Sequence, residues 1–319
     1  MVQIVLIGLG AGFTSALMFA SIAAGSPVSI LLFYLAPLPI LLAGIGWSHV
    51  AALIAAILAA AGLGAAFGFW FFLAHLVGIG IPAYLLAYVA MLARHEPDGT
   101  LEWYPVGKLV LWTAGIAAAS TALTIPAFGT DLETYRATVK QIFERVIRLQ
   151  LGTPASEPLK LPNGGDANTV LDVLATVMPP VAATIAMLTT LFNLWLAGRI
   201  ARMSGRLVRT WPDISEMSFP AMTPVVLLAA IALSFLASIV GVAAGMFAAC
   251  FLLAYIILGF AIIHQLTRPI TSRGIILSAV WLGVLVLGWP AIIVALIGLV
   301  DGLFNLRKTH ANLPNNKPD

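Results

Sequence analysis

Asp301 and Asn305 stand one helical turn apart in an otherwise apolar run, Gly298-Leu-Val-Asp-Gly-Leu-Phe-Asn305. A carboxylate out of water either finds a cation or donor or takes up a proton, so an acid in such a run is a functional candidate by default. Gly298 and Gly302 flank it and let a neighbouring helix come close, and Arg307 and Lys308 follow within two turns. Asp301 is therefore expected to be charged and satisfied by such a cation or donor at the end of the last helix. His75 and Asn193 also lie in apolar surroundings. A lone histidine or amide there more often joins packed segments by a hydrogen bond than contacts a ligand. Arg199, Arg202, Arg206 and Arg209 follow at spacings of 3, 4 and 3 with no acid among them. On a continuous helix they form one basic stripe, which reads as a topology determinant and a contact for lipid headgroups.

Catalytic chemistry has little to work with. The sequence has no HExxH, GxxxxGK[ST], GxSxG or CxxC, and its single cysteine, Cys250, can form no internal disulfide. No apolar segment carries acids, histidines or serines at catalytic spacing, so no enzyme, metal or cofactor is expected.

The elements that would position these residues are membrane spans. The chain has 319 residues, of which 61% are hydrophobic and 9% charged, and its mean hydropathy is +1.03. A soluble domain carries about 25% charged residues, so the class is all-α, a polytopic helix bundle. The net charge of +3 is too small to suggest nucleic acid. Apolar runs of about 20 residues occupy 4–24, 28–46, 51–67, 69–92, 106–127, 181–199, 221–240 and 242–266. The first has no basic leader and is expected to be a retained span. Pro37 and Pro39 interrupt the second, and Gly78, Gly80 and Pro82 the fourth, which hints at a cavity in the N-terminal half. Residues 275–304 are apolar but broken at Gly288-Trp289-Pro290. Pro179-Pro180 is expected to divide a short helix, 168–177, from the sixth span.

One polar insertion, 128–168, holds Leu132, Tyr135, Val139, Ile142, Val146 and Leu149 at alternating spacings of 3 and 4. That period predicts an amphipathic helix over 131–150, started by a Thr130–Glu133 capping box and lying on the membrane or capping the bundle. The chain then divides into 1–127, a five-span bundle; 128–168; 169–308, a second bundle of four or five spans; and a polar tail, 309–319. Placing Arg199 to Arg209 in the cytoplasm puts Arg268 and Arg273 there, the insertion outside and the N-terminus inside. Bringing Arg307 and Lys308 inside as well requires 275–304 to cross twice as a hairpin. Ten segments are favoured over nine, with both termini cytoplasmic in a bacterial inner membrane.

Three stretches resemble the YybS-like (DUF2232) family of bacterial multi-span membrane proteins: Ala36-Pro-Leu-Pro39, the Phe192-Asn193 and arginine segment before Trp211-Pro212, and Gly298-Leu-Val-Asp301 through Arg307-Lys308. The N-terminal spans are also similar to the substrate-binding subunits of energy-coupling-factor vitamin transporters, through their Gly/Pro-broken helices and the triplets Ala16-xxx-Ala20 and Ala20-xxx-Ala24. That likeness implies a small-molecule binding or transport component working with a partner ATPase or membrane subunit. The alternative is a scaffold or regulatory partner that binds another membrane protein or a second copy. The ligand-contact or partner-contact candidates are Asp301, Asn305, Asn193 and His75, and the bilayer itself is the first partner.

Overall fold

A computed structural model describes residues 1–154, 156–159 and 165–304, so Asn305, Arg307 and Lys308 lie outside the described residues. The chain is an all-α polytopic bundle. Seven helical segments are long and apolar enough to cross a membrane. They are α1 (Val2–Ala20, extended by a 3-10 turn to Ala24), the pair α2 (Pro27–Tyr34) and α3 (Pro37–Gly46), and α4 (His49–Phe67). Next come the pair α5 (Phe69–His75) and α6 (Ile81–Ala90), then α7 (Val106–Ala122). After α8 (Leu132–Leu151) come α9 (Ala167–Met203), a shorter α10 (Thr223–Ser234) and α11 (Ile239–Leu266). Two 15-residue helices, α12 (Arg273–Leu287) and α13 (Pro290–Phe304), end the described chain.

Small residues set how closely these helices approach. A Cβ on Gly12 would lie 2.7 Å from the Ala55 carbonyl, and one on Gly8 would lie 3.0 Å from that of Ala51. The Gly8-xxx-Gly12 face of α1 therefore packs directly on the alanines of α4, the two helices running parallel. The α2–α3 break follows from Pro37 and Pro39, which have no N–H for the ladder. Leu38 N–H turns to Leu35 O, leaving Tyr34 O without a helical donor. Between α5 and α6 the chain does not break; residues Leu76–Gly80 form one π-helical turn, which absorbs Gly78, Gly80 and Pro82.

Four sequence expectations are corrected. First, α9 runs unbroken for 37 residues through Pro179 and Pro180, where two helices were expected. The prolines cost two ladder bonds, but the helix is packed on α7, α8 and α11 along this length, so its direction is held by neighbours. Second, the cap of α8 is Asp131, whose carboxylate accepts from Thr134 N–H at 2.8 Å, rather than Thr130. Only the first half of the apolar stripe of α8 is covered: Tyr135 and Val139 are buried, while Ile142, Val146 and Leu149 are exposed. Third, the seventh crossing has a helix of only 12 residues, about 18 Å. Extended chain completes it: Met217 is buried, Phe219 packs edge-on against Tyr255, and the Ser218 carbonyl sits 2.0 Å from where a Gly107 Cβ would be.

The fourth correction concerns the end of the chain. A Cβ on Gly259 would meet Val294 O, and one on Gly298 would meet Tyr255 O, so α13 runs antiparallel to α11. It enters beside the Leu266 end of α11. There Trp281 of α12 stacks on Phe260 and Pro290 lies against Gly283. Both ends of α12 thus stay near one face, and α12 does not cross. Among the described residues, nine segments traverse the bundle where ten were favoured, and α13 leads away from Arg268 instead of returning to it. A 30-residue apolar run satisfies either geometry by composition; the helix contacts choose between them.

The buried apolar residues fall into two main clusters, one built from α1 to α6 and one from α7 to α13, with α9 contributing to both. The α7 helix packs with the second group and also touches the first, Leu109 meeting Val89 and Ala90 of α6. An antiparallel hairpin, β1 (Ala93–His95) and β2 (Leu101–Trp103), lies between α6 and α7. It turns at Asp98-Gly99, with Gly99 at φ 83°.

Candidate functional site

The helix α9 stops because Gly205 takes φ 67°, a left-handed value that glycine adopts without strain. Only Arg199 and Arg202 therefore stand on the helix. Arg206 and Arg209 belong to the segment beyond it, so the single stripe expected from the spacing does not form. Arg199 is exposed. Arg202 lies over the ring of Trp211 at 5.5 Å and Arg206 over Trp47 at 5.2 Å. Arg209 turns inward, Nη1 donating to Ala90 O and Nη2 to Tyr104 O, both at 2.7 Å. Ala90 ends α6, so its carbonyl has no helical donor and the guanidinium supplies one.

Residues 204–217 form a strap fastened at its other end as well. Arg268 Nη2 donates to Asp213 at 2.5 Å and to Ser215 Oγ at 2.6 Å. Hydrogen bonds from Ser215, and after it from Arg268, hold the Asp213 carboxyl down at about 2. A depressed carboxylate pKa means that the tie is intact above the ordinary carboxylate range and is lost only as pH falls through about 2. These contacts gather the 47–49 turn, the β-hairpin, the strap and the 267–273 turn on one face, the basic face.

Two cavities flank the strap. One, about 400 Å³, is a groove among α6, α7 and α9. Leu109, Leu191 and Leu194 line it, Phe192 and Trp195 stand at its exposed side, and Arg209 and Thr210 lie at the strap. The other, about 680 Å³, lies between the strap and α11–α12 and is lined by Asp213, Phe260, His264, Arg268, Arg273 and Trp281. Trp211, Pro212, Ile214 and Ile257 belong to the walls of both.

The sequence-derived candidates do not meet at this place. His75 is fully buried at the α5 end, and its Nε2 lies 3.0 Å from Ser15 Oγ. Ser15 Oγ donates to Ala36 O at 2.8 Å, so His75 Nε2–H is the donor to Ser15. Asn193, also fully buried, donates through Nδ2 to Tyr34 O and Thr189 O, both at 2.8 Å. Asn193 thus reaches the Tyr34 carbonyl at the α2–α3 break directly, while His75 supports Ser15, whose hydroxyl donates to Ala36 O beside it. His75 Nδ1 and Asn193 Oδ1 have no hydrogen-bond partner among the described residues.

Asp301 is 4% exposed and stands three residues beyond Gly298, which faces Tyr255. Tyr255 precedes Leu266 by 11 residues, so Asp301 lies on the order of 20 Å from the basic face at 1.5 Å per residue. The bundle therefore separates Asp301 from Arg199 and Arg202, which a 275–304 hairpin would have put at the same end, while Arg307 and Lys308 lie outside the described residues. Asp301→Asn combined with Arg202→Gln should give a thermal-stability loss equal to the sum of the single losses, within about 0.5 kcal/mol. A larger coupling in a double-mutant cycle would contradict this depth.

Sequence reasoning missed the roles of Trp211, His264, Arg273 and Trp281. No local pattern singles them out, because the cavity joins the strap to segments about 50 to 70 residues further along the chain.

A family model described as predicted membrane protein (DUF2232) matches residues 13–302. No curated protein matches the chain, and no solved structure does.

Proposed function

We propose, from the premise that this chain belongs to the DUF2232 family of predicted membrane proteins, that it is the ligand-binding component of a small-molecule binding or transport assembly. The observation that carries this reading is the 400 Å³ groove. A lining of leucines with two polar groups at one end suits an apolar body with an oriented head. Phe192 and Trp195, both about half exposed on the outer side of α9, leave the groove open towards lipid. Entry from the bilayer fits that opening better than entry from water. The sequence has no nucleotide-binding motif, so in this reading any energy comes from a separate subunit, and the chain does no chemistry on its ligand. The clustering of arginines supports a cytoplasmic location for the basic face in a bacterial inner membrane. With α13 a single crossing, the N-terminus is then inside and the chain leaves α13 outward.

The test uses fluorescent diacylglycerol and the purified protein in micelles. Gly198 lines the groove, and an added Cβ would lie 3.4 Å from the Trp211 ring. An alanine fits there, whereas a leucine must push into the ring or the groove. Wild type and Gly198→Ala should bind saturably, and Gly198→Leu at least about tenfold more weakly, a loss of about 1.4 kcal/mol. Equal binding by all three, or no saturable binding by the wild type, overturns the reading.

A further inference from the structure

We infer that the 680 Å³ cavity is the seat for an anionic phosphate-type headgroup, and that the ligand is an acidic, chain-bearing lipid whose apolar part lies in the neighbouring groove. The inference rests on the groove reading for the position of the chain and on separate observations for the head.

The first observation is charge. Four titratable or charged groups face the cavity: Asp213 from the strap, His264 from α11, Arg268 from the turn and Arg273 from α12. Glu216, next along the strap, is exposed and does not line it. Asp213 is committed to Arg268 and Ser215. Arg273 has no ion-pair partner among the described residues, and its Nε is buried there without an acceptor. A buried guanidinium donor left unused is costly, and an anion removes that cost with a charge-assisted bond.

The second observation is shape. His264 Nδ1–H donates to Phe260 O at 2.9 Å, so the ring can donate to an anion only through Nε2, and only as the doubly protonated imidazolium. Phe260 and Trp281 stack with centroids 4.0 Å apart and planes 14° from parallel, adding an apolar patch to the cavity wall. A basic rim with an apolar wall is the form of pocket that takes an acidic lipid headgroup on the cytoplasmic side of a bundle. The third is continuity. The four wall residues shared with the groove, Trp211, Pro212, Ile214 and Ile257, let one molecule lie against both cavities.

The experiment measures binding of phosphatidylglycerol, diacylglycerol and glycerol 3-phosphate to the full chain in micelles by native mass spectrometry. Wild type should prefer phosphatidylglycerol over diacylglycerol by about tenfold, equivalent to about 1.4 kcal/mol. Arg273→Gln should lose that preference while keeping its diacylglycerol affinity, and Arg273→Lys should keep part of it. His264→Gln provides a second variant should Arg273→Gln fail to fold, and it should reduce the same preference. Equal wild-type affinity for the two lipids, or equal loss of both in Arg273→Gln, overturns the headgroup site and leaves the groove reading standing. Glycerol 3-phosphate binding as tightly as phosphatidylglycerol overturns the lipid source in favour of a soluble phosphate. Loss of neither lipid in Gly198→Leu strikes the groove reading itself.

Discussion

Gly259→Val should cost at least about 3 kcal/mol of stability, the upper end of what overpacking imposes, and should be the most damaging single change in the second half of the chain. A Cβ at this position would lie 1.9 Å from Val294 O, with Val294 C at 2.7 Å. The obstacle is backbone, so no rotamer relieves it; α13 must move off α11. Moving it exposes Val294 and Ala295, both almost fully buried, and withdraws Asp301 from its present surroundings. Gly302→Ala, on the same helix, is the control. Nothing lies within 4 Å of its added Cβ, so the substitution should be neutral or stabilising by up to about 1 kcal/mol through helix propensity. Thermal unfolding in one detergent compares the two. A Gly259→Val protein as stable as Gly302→Ala would mean that the helices do not cross where the structure has them.

The second large effect is expected at Asn193. Its Nδ2 group reaches from α9 to the carbonyl that the Pro37–Pro39 break leaves without a donor. Asn193→Leu keeps the branching and heavy-atom count of the side chain, though not its volume, and removes the donor, stranding Tyr34 O in the interior. The loss should be about 1–3 kcal/mol, the cost of a buried unsatisfied polar group. Asn193→Asp should cost more at neutral pH, because a carboxylate would face two carbonyl oxygens with no proton between them. A rank order with aspartate better tolerated than leucine would show that a different group supplies the hydrogen bond. Both variants alter the packing between α3 and α9, so stability rather than ligand binding is the decisive readout.

These two sites also mark where the sequence is legible and where it is not. The broken second span could be read directly, since missing proline N–H groups act locally. Which carbonyl the break would free, and that Asn193 would answer it, depends on helices far apart in the chain. Proline chemistry misled at Pro179-Pro180. The local rule ends a helix there, but α9 is held straight by packing that no local rule contains. The arginine spacing was sound arithmetic on a helix that ends at Met203, and the Ser204-Gly205 pair was the available stop signal. Asp301 was found by its type, while its depth depended on whether α12 crosses. The site flanking the strap was illegible for the same reason as most membrane cavities, since its walls are ordinary apolar and interfacial residues from separate spans.

The unbroken course of α9 has a mechanical consequence. At 37 residues the helix is about 55 Å long, far more than the roughly 30 Å of a hydrocarbon core. It therefore works as one strut, with Asp172 tied to Lys140 of α8 at one end and Arg202 over Trp211 at the other. Its only point without a full hydrogen-bond ladder is the proline pair, where Pro180 abuts Gly245 of α11. Two missing ladder bonds make that pair the place where the helix would yield first if its packing loosened. A tilt of about 5° of the arm below it, which is about 35 Å long at 1.5 Å per residue, carries the strap end sideways by about 3 Å. The α8 helix and the strap are in this way joined through a single rod.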